Sequence, residues 1–166
     1  GSEMCIRDSS NHAGWQIAQA EYVARELGTH RFIAAENHYN LLDRRAELEV
    51  MPAARQFGLG VLPYFPLANG LLTGKYAEGK APAGSRLSHS KPGLLESTNW
   101  TQIKEFSDFC ADRGFTEVQV AFSWLAQQNP VASVIAGATT IEQVRANAQA
   151  ASLQLSEADM LSLIHI

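Results

Sequence analysis

Apolar and polar positions change period in blocks along the chain. GWQIAQAEYVARELG carries apolar residues at helical spacing, with Ile17, Ala20, Ala24 and Leu27 near one face and Gly28 placed to end the helix in a left-handed turn. RFIAAE follows as a short apolar run of strand length. DRRAELEVMPAARQFG returns to helical spacing with Leu48, Met51 and Phe57 inward, and Pro52 is expected to kink or restart that helix because it lacks a donor. GVLPYF reads as a second strand, with Pro63 near its C-terminal end. Residues 66–97 are rich in Gly, Pro, Ser and Lys and read as one long loop, a length usual for functional or disordered segments. TNWTQIKEFSDFCADRG predicts a helix with Ile103, Phe106 and Cys110 on one side, and TEVQVAFSWLAQQ another with Val118, Ala121 and Leu125 in phase. VASVIAG is the third predicted strand. TTIEQVRANAQAAS predicts a helix burying Ile141, Val144, Ala148 and Ala151, and LSEADM a last one, with Ser156 as N-cap and acids in its first turn.

Short apolar strands separated by helices imply an α/β chain with a parallel sheet. Three strands in 166 residues is few, and an open parallel sheet of that size exposes two edges and one face. The expected fold is therefore part of a larger α/β architecture.

Composition narrows the function. Hydrophobic residues make up 46% of the chain, enough for a core, and the net charge of −4 carries no basic stripe for nucleic acid. The longest apolar run is too short to cross a bilayer, and no basic segment leads into an apolar one as in a signal peptide. Cys5 and Cys110 form no disulfide framework and read as isolated thiols, so the expected setting is cytoplasmic.

Polar residues gather where the strands end: Ser10 and Asn11, Glu36 and Asn37, Tyr64, and the run Gly137, Ala138, Thr139. In a parallel βα sheet or barrel those ends share one face, the face that binds ligands.

Four segments resemble the aldo-keto reductase family in order. GVLPYFPLANGLLTGKY is similar to that family's signature around its seventh barrel strand, and SVIAGATTIEQVRANAQAA to its last strand and cofactor-binding helix. SNHAGWQ and AAENHYNLLDRR resemble its fifth and sixth strand ends, so the likeness runs over residues 10–160. The resemblance implies a partial (β/α)8 TIM barrel, from about the end of strand 5 through helix 8, binding NADP(H) at its C-terminal face. It implies that Ser10 and Asn11 hold the nicotinamide carboxamide, and that Glu36 stands where the family usually has Gln. An ionised Glu has no side-chain donor, so that contact changes character. Tyr64 matches the aromatic ring that stacks on the nicotinamide. Pro66, Leu67, Ala68, Asn69 and Gly70 match the segment along the pyrophosphate, where Gly lets backbone approach closely, and Phe65 joins the implied cofactor-binding set. Lys75 and Arg86 match basic phosphate contacts. Gly137 and Thr139 are expected to open the last helix, whose N-terminal N–H groups suit an anion. Gln143 and Asn147, four apart on one face, match contacts near the adenosine 2′-phosphate and adenine, while Ala146 replaces a Glu common in the family.

Several residues read as structural. His12, His30, His38 and His89 have no metal-ligand spacing and are expected to be solvated loop residues. Asp43, Arg44 and Arg45 read as an N-cap and helix start, and Cys110 as core packing. GSEMCIRDS is not expected to be a barrel strand, because Arg7 and Asp8 fall where apolar residues belong. Residues 1–9 and 161–166 are expected to be non-native tails. The resemblance places the family's catalytic Asp, Tyr, Lys and His upstream of Ser10, so no catalytic residue and no metal ligand is assigned in this chain. The expectation is the cofactor-binding part of an NADPH-dependent reductase of aldehydes or ketones, inactive by itself and able to self-associate through exposed strand edges. The alternatives are a non-catalytic NADP(H)-binding regulatory module or a dimerising half barrel.

Overall fold

A computed structural model describes residues 7–78, 80–82, 87, 92–150 and 152–166. The chain divides into two compact units: one runs to Pro66 and includes Leu125–Ala136, the other comprises Leu67–Trp124 and Gly137–Ile166. The fold is mixed α/β with a small parallel sheet.

The first unit holds that sheet: β1 (Asp8–Ser10), β2 (Ala34–His38) and β3 (Gly60–Tyr64), in the order β1-β2-β3. Ser10 pairs with Glu36, Glu36 with Leu62, and His38 with Tyr64. Side chains alternate between faces along a strand. Ser9, Ala35, Asn37, Val61 and Pro63 are therefore buried, while Glu36, His38, Leu62 and Tyr64 share a half-exposed face with the exposed Ser10. The strand at Asp8–Ser10 corrects the reading of that segment. An edge strand needs its backbone and one inward side chain, and Ser9, 1% exposed, is small enough to serve.

Helix α1 (Gly14–Leu27) buries Gly14, Ile17, Glu21 and Ala24. Leu27, predicted on that face, is exposed; the buried stripe ends a turn earlier, and Gly28 in the left-handed region closes the helix. Glu21 lies in the stripe because two guanidiniums reach it: it accepts from Arg25 Nε at 2.6 Å and from Arg31 Nε at 2.8 Å. Burial opposes its charge, but Arg31 and Arg25 outweigh that and hold its carboxyl below the usual range. Gly14 is required by packing, since a Cβ there would stand 2.5 Å from the Glu49 carbonyl oxygen.

The predicted helix over residues 43–58 is broken into a 3-10 turn (Arg45–Glu47) and α2 (Val50–Phe57). Pro52 falls in the first turn of α2, where its missing N–H has no partner to lose. The restart shifts the helical phase. Val50, Met51 and Ala54 turn inward, Phe57 is only half-buried, and Leu48 is 79% exposed rather than inward.

VASVIAG is not a strand. It touches β3 through a single parallel bridge, Val61 with Val131. Val61 N–H donates to Pro130 O and Val61 O accepts from Ala132 N–H, both at 2.9 Å. The next donor on that edge belongs to Pro63, which has none, and the following bond slips to Ile135 N–H on Pro63 O.

The second unit is helical. The expected long loop contains tight turns over Ala68–Thr73, broken by non-helical backbone at Asn69, Gly70 and Leu72, and helix α3 (Pro92–Glu96). Helix α4 (Trp100–Arg113) starts at Asn99, whose side chain accepts from Gln102 N–H, and buries Ile103, Phe106, Phe109 and Cys110. Burial pushes the Cys110 thiol up to about 12, in keeping with a packing role. Helix α5 (Glu117–Ala126), whose last two residues fall in the first unit, buries Val120, Ala121, Phe122, Ser123, Trp124 and Leu125 in succession; Val118 is half-buried. Ser123 Oγ donates to Ala150 O at 2.8 Å, tying α5 to α6 (Ile141–Ala150). The expected buried face of α6 is not observed: Ile141, Val144 and Ala148 are exposed, Ala150 is the buried residue, and Ala151 lies outside the described residues. The Ser123 anchor sits at the helix C-terminus, where Ala150 is buried. Ser156 caps α7 (Glu157–Ser162) as expected, and Asp159 closes the capping box and pairs with Arg113. Leu163 then turns fully inward.

Candidate cofactor-binding site

The strand register assembles the first half of the predicted set. Ser10, Glu36 and Tyr64 lie on one face of the sheet at its C-terminal end, with Asn11 one residue beyond β1. Asn11 N–H donates to Glu36 O at 3.0 Å, which holds the β1 exit against β2. Tyr64 Oη donates to Asn11 Oδ1 at 2.6 Å. That bond fixes the Asn11 amide, leaving Nδ2 as a donor within 3.4 Å of Ser10 Oγ. Phe65 stands edge-on to Tyr64, ring centroids 5.2 Å apart.

His38 was missed by sequence reasoning. It is not a solvated loop residue: it ends β2, stacks on Tyr64 at 5.4 Å and 14°, and places Nδ1 3.1 Å from Asp43 Oδ2. Its signal in the sequence was strand phase, two residues after Glu36. Asp43 is a hub, binding the Arg45 guanidinium at 2.6 and 2.9 Å, and that cation holds its carboxyl below the usual range. Asp43 is thus a partner of the turn, while Arg44 occupies the N-cap position of the 3-10 turn. His12 and His30 sit in loops, and His89 lies outside the described residues.

In the second unit Ala68, Asn69 and Gly70 form a left-handed run, with φ of 47°, 59° and 102°. Leu67 O accepts from Gly70 N–H at 2.7 Å and closes this turn. A Cβ on Gly70 would stand 3.4 Å from Lys75 Nζ, so the structure does bring Gly70 and Lys75 together. The Lys75 ammonium lies 5.1 Å from the Tyr76 ring centroid. Arg86 lies outside the described residues.

Gly137 and Thr139 do not open α6; they precede it, because Thr140 O takes the first helical bond, from Val144 N–H. Thr139 donates its N–H and hydroxyl to Gln143 Oε1 at 2.7 and 3.1 Å. The Gln143 side chain is therefore folded back on the helix entrance, while Asn147 is half-buried one turn on.

Backbone conformation sets these residues apart. Among the described residues, the non-glycine positions with positive φ are Asn11, Phe65, Ala68 and Asn69, all in the predicted cofactor set. Such conformations cost about 1–3 kcal/mol each and cluster at ligand sites. An open groove of about 550 Å³ lies at the opposite end of the sheet, lined by Arg7, His30, Arg31, Ile33 and Phe57 among others, none of them in the predicted set. Among the described residues no three His, Cys, Asp or Glu side chains are grouped to hold a metal ion, and no helix is long and apolar enough to cross a membrane.

The sequence model of the Aldo/keto reductase family matches residues 9–165. The chain is 38% identical over 149 residues to an uncharacterized oxidoreductase, YrpG, of Bacillus subtilis, covering 90% of this chain and 44% of that protein. It is 34% identical to a probable voltage-gated potassium channel subunit beta of Oryza sativa subsp. japonica, covering 86% of this chain and 45% of that one. It is also 34% identical over 124 residues to the NADH-specific methylglyoxal reductase of Escherichia coli, covering 73% and 37%. The chain thus spans less than half the length of these relatives. With the match running over nearly every residue, the chain belongs to the Aldo/keto reductase family.

Proposed function

We propose that this chain is the NADP(H)-binding part of an aldo-keto reductase, and that residues 10–160 form the C-terminal half of its (β/α)8 barrel. The observation that carries the reading is the confinement, among the described residues, of non-glycine left-handed backbone to Asn11, Phe65, Ala68 and Asn69. The donor set fits the group. Asn11 Nδ2 is the donor for a carboxamide oxygen, because Tyr64 already occupies Oδ1. Glu36 offers only acceptors and suits the carboxamide N–H groups. The Tyr64 ring supplies a stacking surface, and Lys75 beside Gly70 supplies a cation where backbone is bare of side chain. The nicotinamide, when bound, supplies the hydride for carbonyl reduction; these residues bind and orient it.

In this reading the acid that protonates the carbonyl oxygen comes from outside the chain, so the 166 residues bind cofactor without turnover of an aldehyde or ketone. In this reading the setting is cytoplasmic, and the β1 edge, unpaired among the described residues, is available for self-association. The potassium-channel-subunit relative favours a second reading, a cofactor-binding regulatory module using the same face without chemistry. Fluorescence titration with NADPH tests what the two readings share: saturable binding without aldehyde reduction is expected, and turnover above background contradicts the assignment of roles.

A further inference from the structure

We infer that His38 is a positioning residue for the Tyr64 ring, locked in one tautomer by Asp43 and Asn40, and that it aligns the surface on which the nicotinamide stacks. This rests on the cofactor-binding reading above.

Asn40 sets the lock. It is 1% exposed, and its Oδ1 accepts from Leu42 N–H and Asp43 N–H, both at 2.9 Å, which fixes the orientation of the amide. Its Nδ2 then donates to Phe65 O at 3.0 Å and to His38 Nε2 at 3.1 Å. Nε2 must therefore be the acceptor nitrogen, and the ring proton sits on Nδ1, 3.1 Å from Asp43 Oδ2. Asp43 is itself held by Arg45. An imidazole tied at both nitrogens cannot rotate without losing one bond.

That fixed ring touches the site. His38 and Tyr64 are register partners on adjacent strands, and their rings stack at 14°. His38 also meets Phe65 edge-on at 5.5 Å. Asn40 holds the Phe65 carbonyl, so one buried amide pins both His38 and the left-handed residue that follows Tyr64. Tyr64 is thus constrained by a ring on one side and by Asn11 at its hydroxyl.

The test uses the full chain, His38→Ala and His38→Phe, with two ligands: NADPH and the adenosine bisphosphate fragment that lacks nicotinamide. Loss of an aromatic pair predicts NADPH binding about threefold to tenfold weaker in His38→Ala, with partial recovery in His38→Phe. Fragment binding stays unchanged, which a merely structural role would not produce. If the wild type binds NADPH and His38→Ala binds it equally well, or loses both ligands alike, the His38 role is overturned and the cofactor reading stands. If the wild type binds neither ligand, the cofactor reading falls, and this inference with it. Ring-nitrogen NMR of the wild type needs no variant: a protonated Nδ1 and bare Nε2 are expected at neutral pH, and the opposite tautomer overturns the lock.

Discussion

The Tyr64 hydroxyl donates to Asn11 Oδ1 at 2.6 Å, joining the end of the third strand to the exit of the first. The bond uses the one Asn11 atom that a carboxamide oxygen cannot use, and so presents the other. Tyr64→Phe keeps the ring and removes this bond. A single hydrogen bond is worth about 0.5–1.5 kcal/mol, so NADPH affinity is expected to fall about threefold to tenfold. A variant that binds as tightly as the wild type would separate the Asn11 amide from the site.

Acid sensitivity follows from Glu21. Its folded pKa is depressed below the ordinary 4.5 because Arg31 and Arg25 outweigh burial. Its stabilisation is present above that ordinary value and is lost as pH falls through the folded one. Asp43, held by Arg45, and Asp159, held by Ser156 and Arg113, contribute with the same sign. Urea midpoints are expected to fall as pH drops below 4.5, and Glu21→Gln to flatten part of that slope. An unchanged slope in Glu21→Gln would remove the carboxylate from the account.

Gly14 sits against the Glu49 carbonyl with no room for a methyl group. Gly14→Ala should lower stability by about 1–3 kcal/mol despite the better helix propensity of Ala. Equilibrium unfolding in urea measures it. A stabilised variant would mean that α1 and α2 pack less closely than described.

Cys110 is 1% exposed, and its thiol is pushed up to about 12 by burial and by Glu117. It should resist thiol reagents in the native chain and react on unfolding. Rapid native labelling at Cys110, located by mass spectrometry, would contradict the core assignment.

Much of this fold was legible in local signals. Gly28 closes its helix in a left-handed turn, Ser156 caps the last one, and Ile103, Phe106 and Cys110 face one core. The family was legible through the order of four motifs. What failed needed tertiary information. Pro63 withholds the donor that VASVIAG needed for a strand, and that depends on which edge of β3 it faces. The α2 restart at Val50 turned Leu48 outward, and α6 buries Ala150 while Ile141 and Val144 are exposed. His38 escaped notice because a lone histidine shows its neighbours only once strand register sets it against Tyr64.

The central claim, proposed above, is that this chain binds a nicotinamide dinucleotide. The most direct measurement is isothermal titration of the full chain with NADPH and, in parallel, with NADH. Saturable binding that weakens in both Asn11→Ala and Lys75→Ala is the predicted result. No binding of either dinucleotide by the folded chain, or binding indifferent to both substitutions, would contradict it.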